Sequence, residues 1–192
     1  MKKIVPASFL EYYFFARWFS HKTTRSDLKE YLLFLQENCS NMNEVFLNFK
    51  EVIQEWLDNE TTALALPQEY TKLFHLPEGI KPYESVYLGE GNKLMQESWV
   101  AVKKFYTERG WYMEKSKHLE DHVSVELSFM AHLLAEKEYQ DAQEFFSEHI
   151  ITWVPRLMED LASHGQAIYY KTVANFCRAF LEEEKKHYQK HT

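Results

Sequence analysis

His118, Glu120, Asp121, His122 and Glu126 fall within one short span of this chain and are its most informative collection of groups able to do chemistry. His118 and His122 are four apart, so on a helix both rings project from one face, with Glu126 one turn further on. Two imidazoles and a carboxylate at that spacing could hold zinc, which makes a small metal-dependent enzyme one expectation. The zinc-protease signatures are missing, however. No HExxH occurs, and HLEDH carries Asp where the inverted motif needs Glu. A plainer pairing is also open, in which Glu126 orients and screens the His122 ring. Glu120 and Asp121 at a helix start would be stabilised by the helix dipole. Facing a groove, the same carboxylates would take a guanidinium through paired charge-assisted hydrogen bonds.

A second cluster, Pro82-Tyr83-Glu84-Ser85-Val86-Tyr87, lies in a stretch from 75 to 91 broken by Pro77, Gly79, Pro82, Gly89 and Gly91. A long loop in a compact domain is usually functional or mobile. Tyr83 and Tyr87 either cover the core or form an amphipathic wall for a peptide, since Tyr offers a flat apolar face and one polar tip. Gly89-Glu90-Gly91-Asn92-Lys93 is Gly-rich and meets a helix start, where anions are favoured. It lacks the GxxxxGK[ST] spacing, and Glu90 would repel phosphate. Only Glu184-Lys185-Lys186-His187 fits a di-iron Glu-x-x-His motif, where two are needed. Ser85 and Ser124 lack a nucleophile elbow.

Composition limits what these groups can serve. The net charge of −7 argues against a nucleic-acid partner, whose phosphates need a basic surface. With only 5 Gly and 5 Pro, the chain has too few turn residues for an all-β fold, so the expected class is all-α. Cys39 and Cys177 cannot staple a chain of 192 residues, which suits a reducing compartment. Pro6, Glu11 and Arg17 interrupt any signal-peptide core, and no apolar run approaches the length of a membrane span. The Asn38-Cys39-Ser40 and Asn59-Glu60-Thr61 patterns carry no weight without a secretory signal. The expectation is a cytoplasmic protein.

Apolar residues at three- and four-residue steps predict about nine helices in one globular domain. Ser8 would cap a helix through Phe19, Ser26 or Asp27 would open a second, and Asn43 a third through Leu57. Pro67 would start a fourth ending at Phe74. Helix returns at Asn92 and stops at Gly110. After a gap comes a helix burying Leu119, Val123, Leu127, Met130 and Leu134, then one over Gln140 to His149. Thr152 would cap a fresh helix ahead of Pro155, and the last would run from Gln166 to Tyr188. A hinge near 111–118 would separate an N-terminal subdomain, 1–110, from a C-terminal one, 119–192.

The two clusters, Pro82 to Tyr87 and Glu120 to Met130, resemble the signature segments of the TorD/DmsD-type chaperones. Tyr70-x-x-Leu73-Phe74, Tyr106-x-x-x-Gly110 and His149-x-x-x-Trp153-x-Pro155 follow the family's order and spacing. The resemblance implies an all-helical cytoplasmic chaperone. It would bind the twin-arginine leader and apo-form of a molybdenum-cofactor oxidoreductase subunit, and delay export until the cofactor is inserted. It implies further that Pro82, Tyr83, Ser85 and Tyr87 line the leader groove, with Glu120, Asp121, His122 and Glu126 as its polar side. Leu119 departs from the family's usual Pro and His118 from a frequent Glu, which leaves one acid fewer for the leader's arginines. No cofactor is expected. Guanine nucleotide is associated with the family, without a supporting motif here. The oligomeric expectation is a monomer or a helix-exchanged dimer. A helical adaptor for another client is the alternative, beside the metal-dependent enzyme. A leader has cationic and apolar parts. Because burying an apolar side chain contributes roughly 1.5–3 kcal/mol and an exposed ion pair about 0–1, affinity should come mostly from the apolar part.

Overall fold

Apolar side chains at helical spacing need a second helix to cover them, and the computed structural model describes the result for residues 7–38, 44–113 and 117–189. Cys39, Asn43 and residues 114–116 of the expected hinge lie outside the described residues. Among those described, regular structure is helical apart from one isolated antiparallel bridge, Tyr83 to His122. The helices are α1 (Ala7–Ser20), α2 (Arg25–Asn38), α3 (Glu44–Asp58), α4 (Glu60–Phe74), α5 (Glu84–Leu88), α6 (Glu97–Glu108), α7 (Val123–Glu136), α8 (Tyr139–Phe145), α9 (Ile151–Ser163) and α10 (Tyr169–Gln189). A π-helical turn, Phe146–Ile150, joins α8 to α9 without a break. Ten α-segments thus make nine continuous rods among the described residues.

Helix α7 is the axle of the molecule. It buries most of its residues from Val123 through Leu134 and leaves a narrow stripe, Ser128 and His132, exposed, as a helix largely enclosed by others does. Its principal partner is α1, while α10 packs on α9 and also on α3 and α4. Helices from both sides of 111–118 therefore pack against one another. Aromatic rings fill much of the interior. Trp18 stacks on Tyr31 and Phe49, and Phe129 meets Phe105, Tyr106 and Phe145; such pairs add directionality to area burial.

Helix ends depart from expectation for local reasons. Ser8 is no cap; its hydroxyl donates to Glu184 Oε1 (2.7 Å). Thr24 and Asp27 open α2 as a reciprocal capping box: Thr24 N–H donates to Asp27 Oδ2 and Asp27 N–H to Thr24 Oγ1. Pro67 lies inside α4, not at its start. Asn59 Oδ1 accepts from the Thr61 and Thr62 N–H groups and starts the helix two turns earlier, so the bond that Pro67 cannot donate is lost mid-helix. Pro155 is tolerated inside α9. There the wide turn lets Ile151 N–H reach Phe146 O, and the Thr152 hydroxyl, not a cap, donates to the His149 carbonyl. Leu94 and Met95 are exposed and precede α6. The Gln96 amide ties that loop down, donating to Ser85 O and accepting from Glu90 N–H. A Cβ on Gly89 would meet the end of the Gln96 side chain at 2.3 Å, so a larger residue there would displace that amide from its hydrogen bonds. Gly110 ends α6 with φ +69°, as its position predicted.

Candidate functional site

The two signature segments meet as a pair of helix N-termini that cap each other. Helix α5 gets no side-chain cap from the residue that precedes it, Tyr83. Asp121 supplies it from across the fold: Glu84 N–H donates to Asp121 O, and Ser85 N–H to Asp121 Oδ2, both at 2.9 Å. In return Val123 N–H, at the start of α7, donates to Pro82 O (3.0 Å). Ser124 N–H donates to His122 Nδ1 (3.1 Å), so His122 is the cap of α7 itself. Four orphan amides of two helices are thereby satisfied. Tyr83 and His122 are bridge partners as a result, with ring centroids 4.9 Å apart.

Behind this junction lies a cluster of buried acids. Glu84, Asp121 and Glu126 are all essentially without solvent contact. Glu126 Oε2 accepts from Trp153 Nε1 (2.9 Å), and His149 Nδ1 lies 3.1 Å from Glu84 Oε2. Burial, and next the neighbouring charge of Glu84, drive the Glu126 pKa well above its ordinary value. Burial also raises Glu84 against the pull of the His149 hydrogen bond. Burial and the neighbouring Glu84 charge thus both favour the protonated form of Glu126, whose Oε1 has no hydrogen-bond partner among the described residues. Asp121 is raised by burial despite its bonds from Ser85, and its Oδ1 has no hydrogen-bond partner among the described residues.

On the outer side opens a groove of about 580 Å³ between the ends of α1 and α4 and the segments 81–83 and 117–122. Its apolar surface comes from Tyr70, Phe74, Pro82 and Tyr83, with the His118 and His122 rings beside them. Those two rings stack, centroids 3.8 Å apart and planes 18° apart. Burial, then the charge of His118, hold His122 well below the ordinary histidine pKa, so it stays neutral. Since Nδ1 accepts from Ser124, the remaining proton sits on Nε2. Lys22, Lys81 and Lys117 stand around the opening together with His21 and His75.

The expected site residues thus separate. Pro82, Tyr83 and His122 meet in the groove. Ser85, Asp121 and Glu126 are enclosed beneath it, so Asp121 and Glu126 are not a polar rim. Tyr87 turns elsewhere: its hydroxyl donates to Asp160 Oδ2 (2.8 Å), and it lines a separate depression of about 470 Å³ with Arg156. Glu120 is partly exposed but occupied, accepting from Trp99 Nε1 (2.7 Å) and pairing with Lys103 (3.0 Å). Burial raises its pKa, but the bonds from Trp99 and Lys103 prevail and lower it. The metal reading of His118, His122 and Glu126 is overturned. His118 Nε2 bonds Ser20 O, His122 Nδ1 caps α7, and Glu126 points into the core. Among the described residues, no three His, Cys, Asp or Glu side chains could hold a metal ion. Nor does Gly89 to Lys93 meet a helix start, because α6 begins only at Glu97.

Sequence reasoning missed Lys22, Lys81, Lys117 and Tyr70 as groove residues. It did single out Tyr70-x-x-Leu73-Phe74 and His149-x-x-x-Trp153. The first pair of rings lines the groove, and the second pair of side chains serves Glu84 and Glu126.

Known proteins resemble the chain along most of its length. A chaperone protein TorD of Vibrio parahaemolyticus is 23% identical over 88% of this chain and 88% of its own. The Tat proofreading chaperone DmsD of Salmonella typhi is 25% identical over 62% of this chain and 60% of its own. A crystal structure from Archaeoglobus fulgidus, described as a redox enzyme maturation protein, superposes with a TM-score of 0.62 at 21% identity, covering 91% of this chain and 93% of that one. That likeness is one of fold. The family model for the nitrate reductase delta subunit matches residues 35–159, well over half of the sequence, and this chain belongs to that family.

Proposed function

We propose that this protein is a cytoplasmic maturation chaperone that holds the twin-arginine leader of a molybdenum-cofactor oxidoreductase subunit in its apo-form until the cofactor is in place. The observation that carries this reading is the groove at Pro82, Tyr83 and His122, where two distant signature segments enclose an open, aromatic-walled concavity. Such a surface suits an extended or helical apolar segment. The names of the relatives, a Tat proofreading chaperone among them, supply the class of client. Among the described residues no three His, Cys, Asp or Glu side chains could hold a metal ion, and the Ser124 hydroxyl, 2.8 Å from His122 Nδ1, is buried at the start of α7, which suits holding more than chemistry. No described helix is long and apolar enough to cross a membrane. A cytoplasmic place follows from the proposed task, since a leader must be met before export.

Fluorescence anisotropy with a panel of labelled twin-arginine leader peptides tests the reading. Tyr83→Ala and Phe74→Ala should each weaken the best binder by about tenfold or more, the loss expected for one well-buried ring, while far-UV dichroism stays unchanged. Undiminished affinity in both variants would remove the groove from the leader site.

A further inference from the structure

The charge of the groove is opposite to the one an arginine-binding site needs. Among the described residues no Asp or Glu lines it, whereas Lys22, Lys81 and Lys117 all do. The three lysines are exposed, and none forms an ion pair among the described residues. Asp27, which approaches His21 at 3.3 Å, is already engaged in the capping box with Thr24. The acids of the signature face away: Asp121 and Glu126 into the core, Glu120 onto Trp99 and Lys103. His122 adds no negative character either, being neutral with its proton on Nε2.

We infer that the groove accepts an apolar peptide segment bearing a carboxylate, and that the leader's two arginines lie outside it. The inference rests on the proposed leader-binding role and deepens it by naming which chemistry the groove selects. Aromatic side chains of Tyr70, Phe74 and Tyr83 take the apolar residues. The three ammonium groups attract a neighbouring Asp or Glu side chain, mostly by speeding encounter and by penalising a basic segment. Guanidinium groups placed among three lysines that form no ion pair among the described residues would suffer like-charge repulsion, so their recognition needs another surface.

Four synthetic peptides of about twenty residues with one common apolar run decide the matter by anisotropy at low and high salt. They carry Glu or Gln beside the run, combined with an Arg-Arg or a Gln-Gln pair. The Glu peptides should bind about five- to tenfold more tightly than the Gln peptides, as a few exposed ion pairs allow. That advantage should shrink at high salt. It should vanish in the combined variant Lys22→Gln, Lys81→Gln, Lys117→Gln, whose exposed substitutions leave the fold intact. Exchanging Arg-Arg for Gln-Gln should weaken binding in this groove by less than about twofold. If instead the arginines dominate and Glu is without effect, the inference is overturned and the leader reading stands. Near-equal binding of the arginine-free acidic peptides is the outcome the inference expects, because the arginines make no contact in this groove. Failure of all four to bind overturns both.

Discussion

The segment from Pro82 to Tyr87 has two sides, and they obey opposite rules. Its inner side carries Glu84 and Ser85 into a core already holding Asp121, Glu126 and His149. Its outer side offers Tyr83 to a groove whose only charged side chains, among the described residues, are basic. Polar groups are concentrated where no ligand can reach them, and apolar ones where a ligand can. Buried carboxylates are costly and are seldom the best route to stability. Here they fix two helix starts against each other, since Asp121 supplies the amides of α5 and receives nothing from solvent. The outer side then inherits a rigid wall. Acidity in a signature motif is thus poor guidance to the charge of a binding surface, because the acid can be spent on the backbone that shapes the surface.

The contrast breaks most visibly at Glu126. Glu126→Ala leaves the Trp153 N–H buried without an acceptor and opens a cavity, and should cost about 2–4 kcal/mol in urea unfolding. Glu126→Gln keeps the volume and an acceptor for the Trp153 N–H, and should cost less than about 1 kcal/mol. The same pair of proteins gives the pH test. A carboxyl whose folded pKa is raised binds its proton more tightly in the folded state. Its contribution to stability is complete below the unfolded value of 4.5 and is lost as pH rises through the folded value. Wild-type stability minus that of Glu126→Gln should therefore decline as pH increases above 4.5. A difference that is flat with pH would show Glu126 to be ionised in the fold.

A smaller loss is expected at the tertiary cap. Asp121→Ala removes the acceptor for Ser85 N–H and should cost about 0.5–2 kcal/mol, the range for ordinary helix caps. Amide exchange at Ser85 should accelerate with it, while Asp121→Asn, which retains a carbonyl oxygen, should protect that amide. Leader affinity should track the exchange in both variants, because the carboxylate acts through the groove wall. If Asp121→Asn abolishes binding with exchange unchanged, the carboxylate is itself a ligand and the two sides of the segment are not so different.

Much of this architecture was legible from spacing. The alternation of Leu, Phe and Trp at three- and four-residue steps marked the rods, and Gly110 marked a true end. Proline misled twice for one reason: Pro67 and Pro155 were read as helix starts, but Asn59 and the π-turn at Phe146–Ile150 let the helices run through them. Helix α5 went unread because five residues flanked by glycine and proline carry no period. At the site, the meeting of Pro82–Tyr83 with His122 was expected from the resemblance, and Tyr83 and His122 are bridge partners flanked by the bonds Val123 N–H to Pro82 O and Glu84 N–H to Asp121 O. The inward turn of Asp121 and Glu126 was not legible. Their partners, the Ser85 amide and the Trp153 indole, come from other segments, and no local pattern states which face of α7 meets them. The lysines of the groove were equally hidden, since Lys22, Lys81 and Lys117 belong to three separate connections.

The smallest expected effect concerns Glu120, the one acid of the signature with access to solvent. Its side chain is 19% exposed, and Lys103, which pairs with it at 3.0 Å, is 50% exposed. Trp99 holds the other carboxylate oxygen at 2.7 Å, so Lys103→Ala does not release Glu120 from its place. An ion pair this open contributes about 0–1 kcal/mol, and melting should shift correspondingly little. The informative readout is the ratio of affinities for Arg-Arg and Gln-Gln peptides. Removing Lys103 takes away the cation that competes for Glu120, so a carboxylate used to hold arginine would now hold it better. We expect that ratio to remain unchanged within about twofold, because Glu120 lies outside the groove. A clear gain for the Arg-Arg peptide would instead locate the arginine-binding surface at Glu120, beside the aromatic groove and on the far side of the mutual caps.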